Sequence, residues 1–148
     1  MGLRIYFDCC ALQRPFDAPT QIRIALESEA MLRLIELVEL GNIELVGSQA
    51  LDLEIQAMPF SSRRTYCEIL LKQASYYATV SDKVKILAKY YETRGIKGLD
   101  ALHLACAVEA QAAYLCTCDD SFLRKAQSER TLLTRVYNIV ELAREIKL

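Results

Sequence analysis

The stretch "GLDALHLACAVEAQAAYLCTCDDSF", Gly98–Phe122, decides how this chain folds. Its first half is dense in Ala and Leu and predicts a buried helix over 99–112, with one acid, Asp100, in the first turn. "AYLCT" (Ala113–Thr117) is a short apolar run of strand type, and it ends at Asp119 and Asp120. "SFLRKAQ" then opens a short helix. A helix, a strand, an acid at the strand end and a further helix are the parts of a parallel α/β unit.

The same grammar extends in both directions. "LRIYF" (Leu3–Phe7) reads as a central strand ending at Asp8. "IELVG" (Ile43–Gly47) and "RVYNI" (Arg135–Ile139) read as two more strands. Residues 13–20 hold two prolines and form a loop. A helix is expected over 21–40, with Ile22, Leu26, Ala30, Leu34 and Val38 on one face and Gly41 as C-cap. Ser48 is placed to cap the next helix, which carries Glu54 and stops near Pro59. Residues 61–78 and 82–93 read as two helices, "RGIKG" (Arg94–Gly98) as a turn, and "VELAREIKL" as a terminal helix. Repeats, low-complexity segments and linkers are not evident, so residues 1–148 are expected to form a single domain around a largely parallel sheet covered on both faces.

Bulk properties narrow the function classes. The chain has 148 residues, 53% hydrophobic and 25% charged, which suits a globular domain with a real core. Apolar runs are too short to span a bilayer, and "MGLRIYFDCC" has no signal-peptide pattern, so no membrane association and a cytoplasmic location are expected. The net charge is -1. Broad phosphate neutralisation would require a more basic protein, which leaves room only for local contact with a nucleic acid. The six cysteines form no C-x-x-C pair, and there is a single histidine. That spacing disfavours zinc, and without a secretory signal disulfides are not expected.

Four acids stand where such a sheet gathers ligands, beyond the carboxyl ends of its strands. Asp8 and Asp119 follow strands, Glu54 lies on the helix entered from the second strand, and Asp100 begins a helix. Carboxylates held close together repel and raise one another's pKa, and a divalent cation relieves that. Oxygen-only ligands favour Mg²⁺ or Mn²⁺, which activate water and stabilise charge on a phosphoryl group. The sequence shows no G-x-S-x-G, no G-x-x-x-x-G-K-[ST] and no evident Cys–His pair as an alternative nucleophile.

On these residues the chain resembles the PIN domains, metal-dependent nucleases that include the VapC-type toxins of toxin–antitoxin pairs. "IYFDCCAL" is similar to the family's first-strand motif, with Asp8 as its acid. "LVGSQALDLEI" is similar to the second, with Ser48 six residues before Glu54. Gly98–Phe122 is similar to the third and fourth together, with Asp100 before an Ala-rich helix and T-x-D-x-x-F placing Asp119 after its strand. The resemblance implies a three-layer α/β/α sandwich with a parallel sheet of four or five strands. It implies Mg²⁺ or Mn²⁺ held by the catalytic acids Asp8, Glu54, Asp100 and Asp119, and endonucleolytic cleavage of an RNA substrate. A protein antitoxin and a homodimer are the partners it suggests. Cys9 and Cys10 depart from the family, where a small hydroxyl residue is more usual, and "RPFD" lengthens the loop after Asp8.

Secondary candidates are Ser48, Thr117, Asp120 and Arg14. Asp120 reads equally as an outer metal ligand or a solvated turn residue. Arg14, Arg63, Arg64, Lys97, Arg124 and Lys125 are candidates for phosphate contact. Asp17, Glu27 and Glu29 read as a solvated face. His103 reads as a structural residue beneath the site, and Tyr76–Tyr77 and Tyr90–Tyr91 as helix residues packed in the core or at an interface. A non-catalytic binding module on the same fold is the rival reading. A receiver or acid-nucleophile phosphatase would need adjacent acids or D-x-D after the first strand, and "FDCCAL" has neither.

Overall fold

Five strands, all parallel, lie in the order β3-β2-β1-β4-β5 in a computed structural model that describes residues 2–147. They are β1 (Leu3–Phe7), β2 (Ile43–Ser48), β3 (Tyr76–Ala78), β4 (Tyr114–Cys116) and β5 (Arg135–Tyr137). The helices are α1 (Cys9–Gln13), α2 (Ile22–Glu39), α3 (Gln49–Gln56), α4 (Ser61–Leu71), α5 (Asp82–Thr93), α6 (Gly98–Glu109), α7 (Asp120–Gln127) and α8 (Ile139–Glu145). On one side α2 packs against α8; elsewhere α6 packs against α3 and α5. The result is the expected three-layer α/β/α sandwich, with five strands.

β1 is central because its sequence can be buried on both faces. Ile5, Tyr6 and Phe7 are each within 1% of full burial, as a strand between two helical layers requires. Its register with β4 pairs Phe7 with Cys116, so Asp8 and Thr117 leave the sheet side by side. α6 approaches closely because its inward residues are small: Ala101, Ala105, Cys106 and Ala107 are wholly buried. Gly98 starts that helix at φ +54°, a left-handed backbone value that glycine adopts at little cost. Gly41 follows α2 at φ +81°, the expected C-terminal position.

Three expectations change. Residues 76–78 are an edge strand, so Tyr76 and Tyr77 do not belong to a helix: "SYYAT" is too short and too exposed to carry a strand signal. "CCALQ" forms α1, a five-residue helix hidden by the proline that follows it. The buried face of α2 is Glu27, Met31, Leu34, Ile35 and Val38, whereas Ile22 and Leu26 are exposed. The helix is rotated so that Glu27 turns inward, met there by Arg14 from the segment before the helix and by Arg23 one turn earlier on the helix itself. Among the described residues no helix is long and apolar enough to cross a membrane.

Candidate active site

The carboxyl ends of β2, β1 and β4 place Ser48, Asp8 and Thr117 along one edge. Asp8 is 4% exposed and is the N-cap of α1. Its Oδ1 accepts the Ala11 N–H at 3.1 Å and the Cys10 thiol at 3.0 Å. Its own N–H donates to the Cys116 carbonyl at 3.1 Å, tying the end of β1 to β4. Burial, with the Cys10 thiol beside it, pushes the Asp8 carboxyl well above the usual carboxylate range.

Thr117 joins Asp8 to Asp119. Its buried hydroxyl lies 3.6 Å from the Cys10 sulfur and accepts the Asp119 N–H at 3.1 Å. Asp119 caps α7, its Oδ1 accepting the Phe122 N–H at 3.0 Å. The T-x-D-x-x-F spacing is therefore a capping motif as well as a way of fixing an acid at the strand end.

Asp100 is half-buried in the first turn of α6. Burial raises its carboxyl, the charges of Asp119 and Glu54 raise it further, and His103 and Lys125 act in the opposite direction. Asp100, Asp119 and Glu54 therefore lie within one electrostatic neighbourhood. Glu54 behaves differently. His103 Nε2 stands 2.7 Å from its Oε1, and this hydrogen bond holds the carboxyl below its ordinary range, helped by the Cys9 thiol. His103 is 2% exposed, and its Nδ1 lies 2.5 Å from the Tyr6 hydroxyl. Tyr6 in turn contacts Ser48 Oγ at 2.7 Å, and Ser48 accepts the Leu51 N–H at 3.0 Å as N-cap of α3.

The donor set is all carboxylate, the chemistry of a hard divalent cation, and the upward push on Asp8 and Asp100 is the repulsion and desolvation that such an ion relieves. The oxygens are nonetheless each engaged by a different element: α1 by Asp8, α7 by Asp119, His103 by Glu54. Among the described residues, no three His, Cys, Asp or Glu side chains converge in an arrangement that could hold a metal ion.

A second charged cluster borders the site. Arg23 grips Asp120 through two hydrogen bonds of 2.8 Å and reaches Glu27 at 3.3 Å. Arg14 lies 3.0 Å from Glu27 and 2.9 Å from Asp17, and Arg63 binds Asp17 at 3.0 Å. Asp120 is thus bound by an arginine and lowered by it. Arg14 and Arg63 are engaged within the protein. Glu27, expected on a solvated face, is 1% exposed, and Asp17 also sits in this cluster. Lys125 stands near Asp100; Arg64 donates to the Met58 carbonyl at 3.0 Å. Tyr76 is covered by the Arg4 guanidinium at 3.8 Å, and Tyr77 donates to Asp52 at 2.5 Å.

Sequence reasoning passed over Tyr6 and Arg23 and took His103 only as structural. Tyr6 looks like any core residue of a strand, and only the placement of α6 over β1 reveals its hydroxyl contact. The Cys10 departure also finds a use: its thiol donates to Asp8.

No family model matches this sequence, and no curated protein sequence does. Among solved structures, the chain is similar to VapBC2 from Rickettsia felis bound to a DNA fragment from their promoter. The TM-score is 0.59 at 15% identity, covering 92% of this chain and 98% of that one. This likeness shows that the two share a fold.

Proposed function

We propose that the protein is a PIN-like, metal-dependent endoribonuclease, with Asp8, Glu54, Asp100 and Asp119 as the acids that hold Mg²⁺ or Mn²⁺. The observation that supports this reading is the all-carboxylate edge of the sheet, where Asp8 caps α1 after β1 and Asp119 caps α7 after β4, linked through the Cys10 thiol and the Thr117 hydroxyl. The metal, when bound, would supply an activated water and neutralise charge on the phosphodiester. The protein's own contribution is to hold the acids and the RNA in place. Thr117 and the Cys10 thiol orient Asp8 beside Asp119. Lys125, an exposed base on α7, is a candidate contact for a phosphate oxygen.

The fold shared with VapBC2 supports a role as the toxin of a toxin–antitoxin pair, cytoplasmic, with a protein antitoxin or a second copy as partner. One observation favours the rival reading of a non-catalytic binding module: the acids do not converge on a single point. Purified protein incubated with assorted single-stranded RNAs separates the two. Nuclease action requires cleavage with Mn²⁺, none in chelator, and none by Asp8→Asn. Binding of RNA without cleavage under all three conditions favours the module.

A further inference from the structure

The hydrogen bonds around His103 form a closed circuit. Carboxylate oxygens only accept, so in the 2.7 Å contact His103 Nε2 carries the hydrogen and donates to Glu54 Oε1. In the neutral imidazole Nδ1 is then a lone pair, and it accepts from the Tyr6 hydroxyl. The Tyr6 oxygen accepts from Ser48 Oγ–H, and Ser48 Oγ accepts the Leu51 N–H. Leu51 is in α3, the helix that carries Glu54. The circuit leaves α3 at its cap, crosses β2, β1 and α6, and returns to α3 at Glu54.

Every intermediate member is shielded from water: Ser48 and Tyr6 are 0% exposed and His103 2%. Glu54, by contrast, keeps a side chain 34% exposed at the edge of the site. A glutamate so placed has several rotamers open to it, and ordering it has an entropic cost. A buried donor whose own other nitrogen is fixed offsets that cost and sets one direction. Metal sites use such outer partners to orient their ligands.

We propose that His103 and Tyr6 are positioning residues that fix the orientation of Glu54 toward the other acids, Tyr6 acting through the tautomer of His103. The inference rests on the metal-dependent reading of the acid cluster. Packing alone would give these two residues an effect on folding and none on the metal response.

The test compares wild type with Tyr6→Phe, His103→Ala and His103→Gln, reading the melting temperature in chelator, its rise on adding Mn²⁺, and kcat and KM on a single-stranded RNA. Tyr6→Phe and His103→Ala should lower Mn²⁺ affinity or kcat by about 10–100-fold, the range for lost outer partners, with KM for RNA little changed. His103→Gln keeps an amide N–H for Glu54 and should recover most of the loss. If His103→Ala fails to fold, Tyr6→Phe, which removes one oxygen and keeps the ring, decides the matter. A Tyr6→Phe protein with wild-type Mn²⁺ response and kcat overturns the proposal, whatever its melting temperature in chelator. A wild type with no Mn²⁺ response and no cleavage overturns the metal reading as well.

Discussion

Asp100 lies close enough to Asp119 for its charge to raise the Asp100 carboxyl, although the two acids are carried by different helices across a strand. The carboxyl is also lifted by burial, the larger cause. In the metal-free protein such a group works against folding at neutral pH. Its unfavourable contribution is absent below the unfolded carboxylate pKa of about 4 and grows until pH passes the raised folded value. Asp100→Asn should therefore raise the melting temperature in chelator at pH 7, with the gain vanishing near pH 4. The same substitution should diminish the further rise on adding Mn²⁺. A lowered melting temperature with an unchanged Mn²⁺ shift would mean that Asp100 serves only the helix dipole.

Glu54 should show the opposite pH signature. Its lowered carboxyl contributes stability above the unfolded glutamate pKa, and that contribution is lost as pH falls through the folded value. Because the side chain is a third exposed, Glu54→Gln should cost about 1 kcal/mol or less at pH 7 in chelator, and less still in acid. Melting curves of both variants across pH separate the two acids. A Glu54→Gln protein more stable than wild type at pH 7 would contradict the His103 contact.

Arg14 and Arg23 both meet Glu27, but in different surroundings. The Arg14 side chain is 16% exposed and that of Arg23 44%. Removing Arg14 weakens the support of a buried carboxylate, so Arg14→Met should cost about 1–3 kcal/mol by denaturant unfolding. Arg23→Met gives up solvent-exposed pairing with Asp120 and should cost less than Arg14→Met. The reverse order would show that Arg23 alone neutralises Glu27.

The Cys10 thiol supplies a hydrogen bond that a hydroxyl would make more strongly. Cys10→Ser should preserve the donor to Asp8, whereas Cys10→Ala removes it, a loss of roughly 0.5–1.5 kcal/mol. Unfolding free energies of the two variants in reducing buffer check this. Equal stability of the Ser and Ala forms would show that the thiol only fills space.

The sheet was legible where sequence signals are local and strong. β1, β2 and β4 are apolar runs beside acids or glycine, β5 is a short β-branched and aromatic run, and α6 is an uninterrupted Ala- and Leu-rich segment. β3 was lost because a three-residue edge strand with exposed Tyr76 and Tyr77 blends into the helical pattern before it. The placement of Asp8 and Asp119 just beyond the ends of β1 and β4 followed from parallel topology. The partners of those acids did not. Ser48, Tyr6, His103 and Glu54 come from four elements, and their contacts exist only after α3 and α6 pack over β1 and β2. The burial of Glu27 was hidden for the same reason: it depends on Arg14 reaching it from outside its own helix, in addition to Arg23 one turn away.

The most direct measurement is cleavage of one single-stranded RNA by wild type, Asp8→Asn and Asp119→Asn, side by side, over a range of Mn²⁺ concentrations and in chelator. Asn accepts a capping hydrogen bond as Asp does, so both variants keep the caps of α1 and α7 while losing a charge. The account predicts Mn²⁺-dependent cleavage by wild type alone. Equal cleavage by all three proteins, or cleavage by wild type that persists in chelator, would contradict it.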